Sequence, residues 1–299
     1  MMKVGYLGPE GTFTEAATQA ALPSVKRVAY ETIPKSIDAL FSDEVDGVVV
    51  PLENTIEGSV NITLDYLIHH RRAEICGEII VPIQQHFVTH PNHTKSWSSV
   101  EVIYSHPHAI AQCHQFLRQV VPHAKVETMS STGAAAKWLS EQPEDNAAAI
   151  SNAWAAEKYG LDIVQHDIND YPNNHTRFVL LKNPASKGIS ISSGQPASEK
   201  TTMLVTLPSD YSGALHQVLS AFAWRKLNLT KIESRPMKTE LGRYYFIIDV
   251  EGHQDTPLFQ GAVGELEALG CGVDLLGSYP CFSYVAQAVK ETQNYGSSF

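Results

Sequence analysis

Four groupings of polar side chains carry the chemistry that this sequence offers. Glu53 and Asn54 sit just beyond the apolar run 47–50. They stand at the carboxyl end of an expected buried strand, where open α/β sheets collect ligands. The Asn54 amide offers both a donor and an acceptor. Glu53 could be an acid of raised pKa or an orienting acceptor; its plain structural reading is a turn carboxylate capping a helix. Ser105 and Gln112 flank the start of a helix expected over 108–120. A helix N-terminus exposes backbone N–H groups and favours anions, which two donor side chains would complement. The simpler alternative is capping by Ser105 and a solvated Gln112. Thr176 and Arg177 head the short strand 178–181; Thr176 reads first as a β-former, and Arg177 either binds a carboxylate or forms a surface ion pair. Near the C-terminus, Gly213-Ala214-Leu215 opens a helix, where glycine permits close approach of another backbone or a ligand. Glu233-Ser234-Arg235-Pro236 ends a strand, and by itself reads as an exposed strand end with an ordinary ion pair.

Other chemistries fit less well. His86, His90 and His93, and the pair His106 and His108, have suggestive spacing among the 13 histidines. The first group spans a strand end and a turn with Pro91, and no cysteine or acidic cluster joins either group, so no metal site is expected. Gly8, Gly11 and Gly58 lack the lysine and the spacing of a phosphate-binding loop. With a formal net charge of -10 over 299 residues, the chain is a poor partner for nucleic acid. No apolar run is long enough to span a bilayer, and the first residues lack the basic and apolar blocks of a signal peptide. Cys76, Cys113, Cys271 and Cys281 form no C-x-x-C pair and read as free thiols, consistent with a reducing cytoplasm.

The elements that must position these groups alternate. Strand and helix signals succeed one another from residue 3 to residue 68 and again from 100 to 181, which argues for parallel α/β organisation. A β-prone stretch near 75–90, interrupted by Pro82, and a second stretch near 163–176 read as crossovers between two lobes, with a cleft between them. Residues 1–182 read as this two-lobed unit. Residues 183–200, rich in Ser, Gly, Pro and Lys, read as a linker. Residues 201–285 show a compact β-α-β-β-α-β order, the ferredoxin-like α+β arrangement, and 286–299 form a polar tail.

Five short motifs give this frame an identity. G-P-E-G-T-F-T-E occupies 8–15, P-L-E-N-T-I-E-G occupies 51–58, S-H-P-H-A-I-A-Q-C occupies 105–113, N-H-T-R-F occupies 174–178 and E-S-R-P occupies 233–236. Together, and in this order, they resemble the prephenate dehydratase family with its C-terminal ACT regulatory domain, over residues 4–284. The resemblance implies a two-lobed, periplasmic-binding-protein-like catalytic domain with the active site between the lobes. Two departures are visible: His108 stands where the family usually has Gln, and His216 where it often has Val.

The family's reaction turns prephenate into phenylpyruvate, carbon dioxide and water in phenylalanine biosynthesis. Electrons released by decarboxylation flow into the departing C–O bond, so no electron-sink cofactor is expected. The resemblance places Thr176 nearest the leaving hydroxyl, as a hydrogen-bonding relay. Repulsion of a dianionic substrate argues against direct contact between Glu53 and its carboxylates. Residues 213–215 and 233–236 together resemble an L-phenylalanine effector site, usually between two chains, which implies a homodimer or homotetramer. An arogenate dehydratase, and a non-enzymatic amino-acid or solute sensor, are the rival readings.

Overall fold

The computed structural model describes residues 1–186, 188–209, 211–238 and 244–284; the expected tail 286–299 lies outside them. Lobe one begins with β1 (Lys3–Leu7), α1 (Phe13–Ala21), β2 (Lys26–Tyr30), α2 (Ile33–Phe41) and β3 (Gly47–Asn54). Thr12 and Thr32 cap the two helices by accepting from Glu15 N and Lys35 N, which satisfies donors that a first turn leaves free. β1 lies between β2 and β3 and parallel to both. Val48, Val49 and Val50 are fully buried; β3 is a continuous apolar run because both of its faces are covered. The two-residue β4 (Gly58–Ser59) turns back on β3, α3 (Asn61–His69) follows, and β5 (Glu74–Pro82) leads out of the lobe.

Lobe two contains β6 (His86–Thr89), a 3-10 helix (Pro91–Ser99), β7 (Val102–Ser105), α4 (Pro107–Gln112), α5 (His114–Val120), β8 (Lys125–Thr128), α6 (Thr132–Ser140), β9 (Ala147–Ser151), α7 (Ala153–Tyr159) and β10 (Asp162–Gln165). Its sheet order is β10-β6-β9-β7-β8. The single helix expected over 108–120 is broken, because the Cys113 backbone (φ -120°, ψ 22°) leaves helical geometry. The chain then returns as β11 (His175–Lys182), antiparallel between β3 and β5. Two lobes joined by two crossovers are the periplasmic-binding-protein-like arrangement the motifs implied. The crossovers are bonded to each other: Gln85 N donates to Asn169 Oδ1 at 2.8 Å, and Asn169 Nδ2 donates to Ile83 O at 2.6 Å.

The C-terminal unit comprises β12 (Ser198–Thr206), α8 (Ala214–Ala223), β13 (Leu229–Pro236), β14 (Tyr244–Glu251), α9 (Pro257–Ala268) and β15 (Gly272–Ser283). One sheet face packs its own helices, with Met203, Val205 and Ile248 against Val218, Phe222 and Phe259. The other face shares a core with lobe one, where Leu204, Ile247, Leu276 and Tyr279 join Val48, Ile75, Val179 and Leu181. β15 pairs in parallel with β5 through Cys281, Phe282 and Ser283, which merges the two sheets into one of ten strands. The linker expected over 183–200 is held at several points against lobe one, and its last residues, from Ser198, already belong to β12. Ile189 is buried in the lobe-one core, Ser192 N donates to Ala21 O, and Tyr284 Oη donates to Ser193 O. The polar composition of this stretch masked the two isoleucines, Ile189 and Ile191, that anchor it. Among the described residues, no helix is long and apolar enough to cross a membrane.

Candidate active site

The site grows from the pairing of β3 with β11. Asn54 stands opposite Thr176, and Glu53 opposite Arg177. Neighbouring residues of a strand point to opposite faces, so the ladder sorts these four side chains into two pairs. A bulge between Arg177 and Phe178 ends the regular register at this point, a device that re-aims side chains at strand ends.

Asn54 and Thr176 face the cleft. Asn54 Nδ2 donates to Thr176 Oγ1 at 2.9 Å, to Asn174 Oδ1 at 2.9 Å and to His175 O at 3.2 Å. Asn54 Oδ1 accepts from Ile56 N at 2.9 Å and Glu57 N at 3.0 Å, which fixes the amide's orientation. Asn174 Nδ2 passes the network on to Gln112 Oε1 at 3.2 Å, and Gln112 Nε2 reaches Glu57 Oε1 at 3.4 Å. One hydrogen-bonded chain thus links lobe one, lobe two and the returning crossover. Thr176 is 8% exposed. Its hydroxyl accepts from Asn54 and, among the described residues, donates to no protein atom, so its proton is free to point at a ligand.

Glu53 and Arg177 face away from the cleft. Arg177 Nη2 donates to Tyr279 Oη at 2.9 Å and Nη1 pairs with Asp249, both in the C-terminal unit. Its Nε faces Glu78 Oε2 at ion-pair distance but out of line for a hydrogen bond. Burial opposes its charge, but Asp249, Tyr279 and Glu78 outweigh that and hold its pKa well above the ordinary value. Glu53 pairs with Lys231 at 3.0 Å. The Arg177 guanidinium, expected either to bind a carboxylate or to form an ion pair, lies between lobe one and the C-terminal unit against Glu78, Asp249 and Tyr279.

Ser105 is fully buried, and its hydroxyl donates to Ile150 O at 2.7 Å, inside lobe two. His106 caps α4 instead, accepting from His108 N. Burial, with neighbouring His108, lowers the His106 pKa, while Glu57 works against this. His108 sits at the rim, its Nδ1 3.9 Å from Glu57 Oε1. Two participants were missed, Asn174 and Glu57. Both lay inside quoted motifs, but a lone amide or carboxylate in a turn gave no separate signal.

The lobes also meet through the loop before α1. Asn152 Nδ2 donates to Gly11 O at 2.9 Å, Trp154 Nε1 to Glu15 at 3.2 Å and Lys158 Nζ to Glu15 at 2.8 Å. Gly133 packs on the same loop, where a Cβ would stand 2.6 Å from Glu10 O.

In the C-terminal unit the pleat divides the 233–236 motif. Ser234 lies on the helix-bearing face, opposite Phe246, while Glu233 and Arg235 face lobe one. Glu233 accepts from Ser59, and Arg235 Nη2 pairs with Asp65 at 2.7 Å. Gly213 precedes α8 with φ +92°, and no atom lies within 4 Å of where its Cβ would be. Ala214 is buried and Leu215 is half-buried.

Residues 4–186 match the family described as Prephenate dehydratase, and residues 201–268 match the ACT domain. A prephenate dehydratase of Bacillus subtilis is 53% identical over 94% of this chain and 99% of its own. One from Lactococcus lactis subsp. cremoris is 41% identical over the same shares, 94% and 99%. Among solved structures, the prephenate dehydratase of Arthrobacter aurescens in complex with L-Phe is 34% identical. It superposes with a TM-score of 0.80, covering 93% of this chain and 90% of that one.

Proposed function

The chain belongs to the prephenate dehydratase family, ACT domain included, and we propose that Asn54 and Thr176 deliver the proton on which its reaction depends. The enzyme converts prephenate into phenylpyruvate, carbon dioxide and water. The ring carboxylate leaves as carbon dioxide, its bonding electrons enter the ring, and the C–O bond to the ring hydroxyl breaks. Aromatisation drives the step. Expelling hydroxide is the difficult part, so one proton must reach the departing oxygen in each turnover. The carrying observation is the Thr176 hydroxyl, held by an N–H from Asn54 with its own proton unclaimed. A threonine is a poor acid in isolation. Donation from Asn54 to its oxygen stabilises negative charge there as the proton moves toward the leaving group. A positioned proton donor is worth about 10²–10⁴-fold, and orientation contributes more. The Asn174–Gln112–Glu57 chain supports that orientation by tying Asn54 to lobe two.

The same reading makes the ACT domain a phenylalanine-sensitive brake, since phenylalanine lies one transamination beyond phenylpyruvate. Ser234 and the 213–215 segment are its proposed contacts, and Glu233 and Arg235 support them from the opposite face. A homodimer or homotetramer pairing ACT domains, working in the cytoplasm, completes the proposal. Phenylpyruvate formation by purified protein, read by ultraviolet absorbance in base, is the test. Turnover of prephenate with kcat/KM well above that for arogenate is expected; the reverse ratio makes this an arogenate dehydratase, and no turnover of either overturns the reading.

A further inference from the structure

The face of β3 and β11 that looks away from the cleft carries a chain of charges that the reaction does not use. Arg177 joins Asp249 and, at 3.6 Å, Glu53. Glu53 joins Lys231 at 3.0 Å, and Lys231 joins Glu233 at 3.1 Å. Glu233 continues to Arg235 at 3.3 Å, and Arg235 to Asp65 at 2.7 Å. The chain thus runs from directly behind the catalytic pair to the strand that bears the proposed effector contact. Charges taken out of water stabilise a fold no better than apolar packing would, and their best-attested use is to fix a register or a switch. Here both ends are placed for that. Glu53 is the chain neighbour of Asn54, and Arg177 of Thr176. On β13, Lys231 and Glu233 point at lobe one while the intervening strand face, with Ser234, points at the helices. The link is adjustable as well: the Arg177 and Lys231 side chains are 10% and 9% exposed, but that of Glu53 is 36% exposed.

We propose that Glu53 and Lys231, backed by Arg177 and Asp249, are positioning residues that couple the setting of β13 to the alignment of Asn54 and Thr176. A ligand on the helix-bearing face of β13 moves Lys231 against Glu53, and Glu53 carries that movement to the end of β3, where Asn54 holds the Thr176 hydroxyl. The inference rests on the reading of the cleft as the dehydratase site and of the ACT domain as its phenylalanine sensor.

The test separates effector binding from effector response in the full-length protein. Phenylalanine binding is measured by calorimetry, and kcat/KM for prephenate is measured with and without saturating phenylalanine. These are compared in wild type, Lys231→Met, Lys231→Arg, Glu53→Gln and the Glu53→Gln/Lys231→Met double variant. Allosteric couplings are commonly about 5–150-fold. Lys231→Met and Glu53→Gln should each bind phenylalanine within about twofold of wild type yet lose most of that coupling. Lys231→Arg, which keeps the cation, should retain it, and the double variant should lose no more than either single one because both substitutions cut the same link. Unchanged coupling in both single variants, or losses that multiply in the double variant, overturns the inference. So does loss of phenylalanine binding itself, which would make Lys231 part of the effector pocket. Failure of the underlying reading looks different: wild type then makes no phenylpyruvate, or makes it with indifference to phenylalanine, and the inference falls with it. Lys231→Gln substitutes for the methionine variant if the latter unfolds below assay temperature.

Discussion

Thr176 carries a hydroxyl whose oxygen is held and whose proton is not. If that proton goes to the leaving oxygen, the interaction strengthens as the C–O bond breaks and lowers the barrier more than it binds substrate. Thr176→Ala should therefore lower kcat by about 10²-fold or more with little change in KM, and Thr176→Ser should recover much of the loss. Near wild-type turnover by a folded Thr176→Ala protein would remove the role. Asn54→Ala should do comparable damage, because it frees Thr176 and also leaves Asn174 without its donor. At this scale the sequence was informative but blind to direction. The motifs pointed to Thr176, Asn54 and Gln112, which the structure brings together. They also pointed to Arg177, Glu53 and Ser105, whose side chains turn elsewhere. Adjacent letters on a strand point to opposite faces, and only the pairing of β3 with β11 shows which face is the cleft. Arg177 beside Thr176 reads as a substrate cation until Asp249, 72 residues away, is seen to hold it.

Elements set how closely the lobes and the effector can approach. Gly133, at the start of α6, leaves room for the Glu10-Gly11 backbone; a Cβ there would meet Glu10 O at 2.6 Å and Gly11 C at 2.7 Å. Backbone cannot yield as a flexible side chain would, and overpacking of this kind costs about 1–3 kcal/mol. Gly133→Ala should hold the lobes apart and raise KM for prephenate several-fold; a KM equal to wild type would show that this contact does not govern closure. Gly213 needs a different argument from the one its sequence suggested. Nothing in the chain crowds it, and its φ of +92° is what favours glycine. Gly213→Val combines backbone strain, of order 1–3 kcal/mol, with added bulk. Gly213→Asn separates the two, since Asn tolerates positive φ. It should melt near wild type and still bind phenylalanine more weakly by calorimetry. Equal binding would place the effector elsewhere. His86, at the first crossover, adds a pH dependence. Burial pushes its pKa down to about 4, with His166 adding to the effect and Asp167 opposing it. In the unfolded chain it takes up a proton near pH 6.5, while the folded protein refuses that proton until about pH 4, so stability falls as pH drops through this window, by at most roughly 3 kcal/mol. His86→Gln, which keeps an acceptor for Asp167 N, should flatten the decline in urea unfolding free energy between pH 7 and pH 4.5; parallel curves would exclude His86 as its source.

At the scale of the whole molecule, the alternation of strands and helices and the β-α-β-β-α-β order were legible because each rests on local apolar periodicity. The merger of the two sheets was not. It depends on three residues of β15 lying beside β5, and no periodicity encodes which edges meet. That merger changes what a truncation would do. A stretch rich in Ser, Gly and Pro invites a cut after Lys182 to obtain an unregulated catalytic domain. Such a cut would strip Leu204, Ile247, Leu276 and Tyr279 from the core they share with Val48, Ile75 and Val179. It would leave Arg177 without Asp249 and Tyr279, and would deprive the fully buried Glu78 of Lys200. Removing one partner of a buried ion pair alone costs about 3–5 kcal/mol, against a total stability of about 5–15 kcal/mol for a domain. It would also bare β5 as a new edge whose Ile75, Ile79 and Ile80 invite pairing with other chains. The 1–182 fragment is therefore expected to aggregate or to unfold far below the melting temperature of the full chain. Arg177→Met/Glu78→Gln within the fragment should restore part of the soluble yield by removing the stranded charges. Size-exclusion chromatography and thermal unfolding of both fragments decide it: a soluble 1–182 monomer with wild-type kcat/KM would show that the shared core is dispensable and that the ACT domain only regulates.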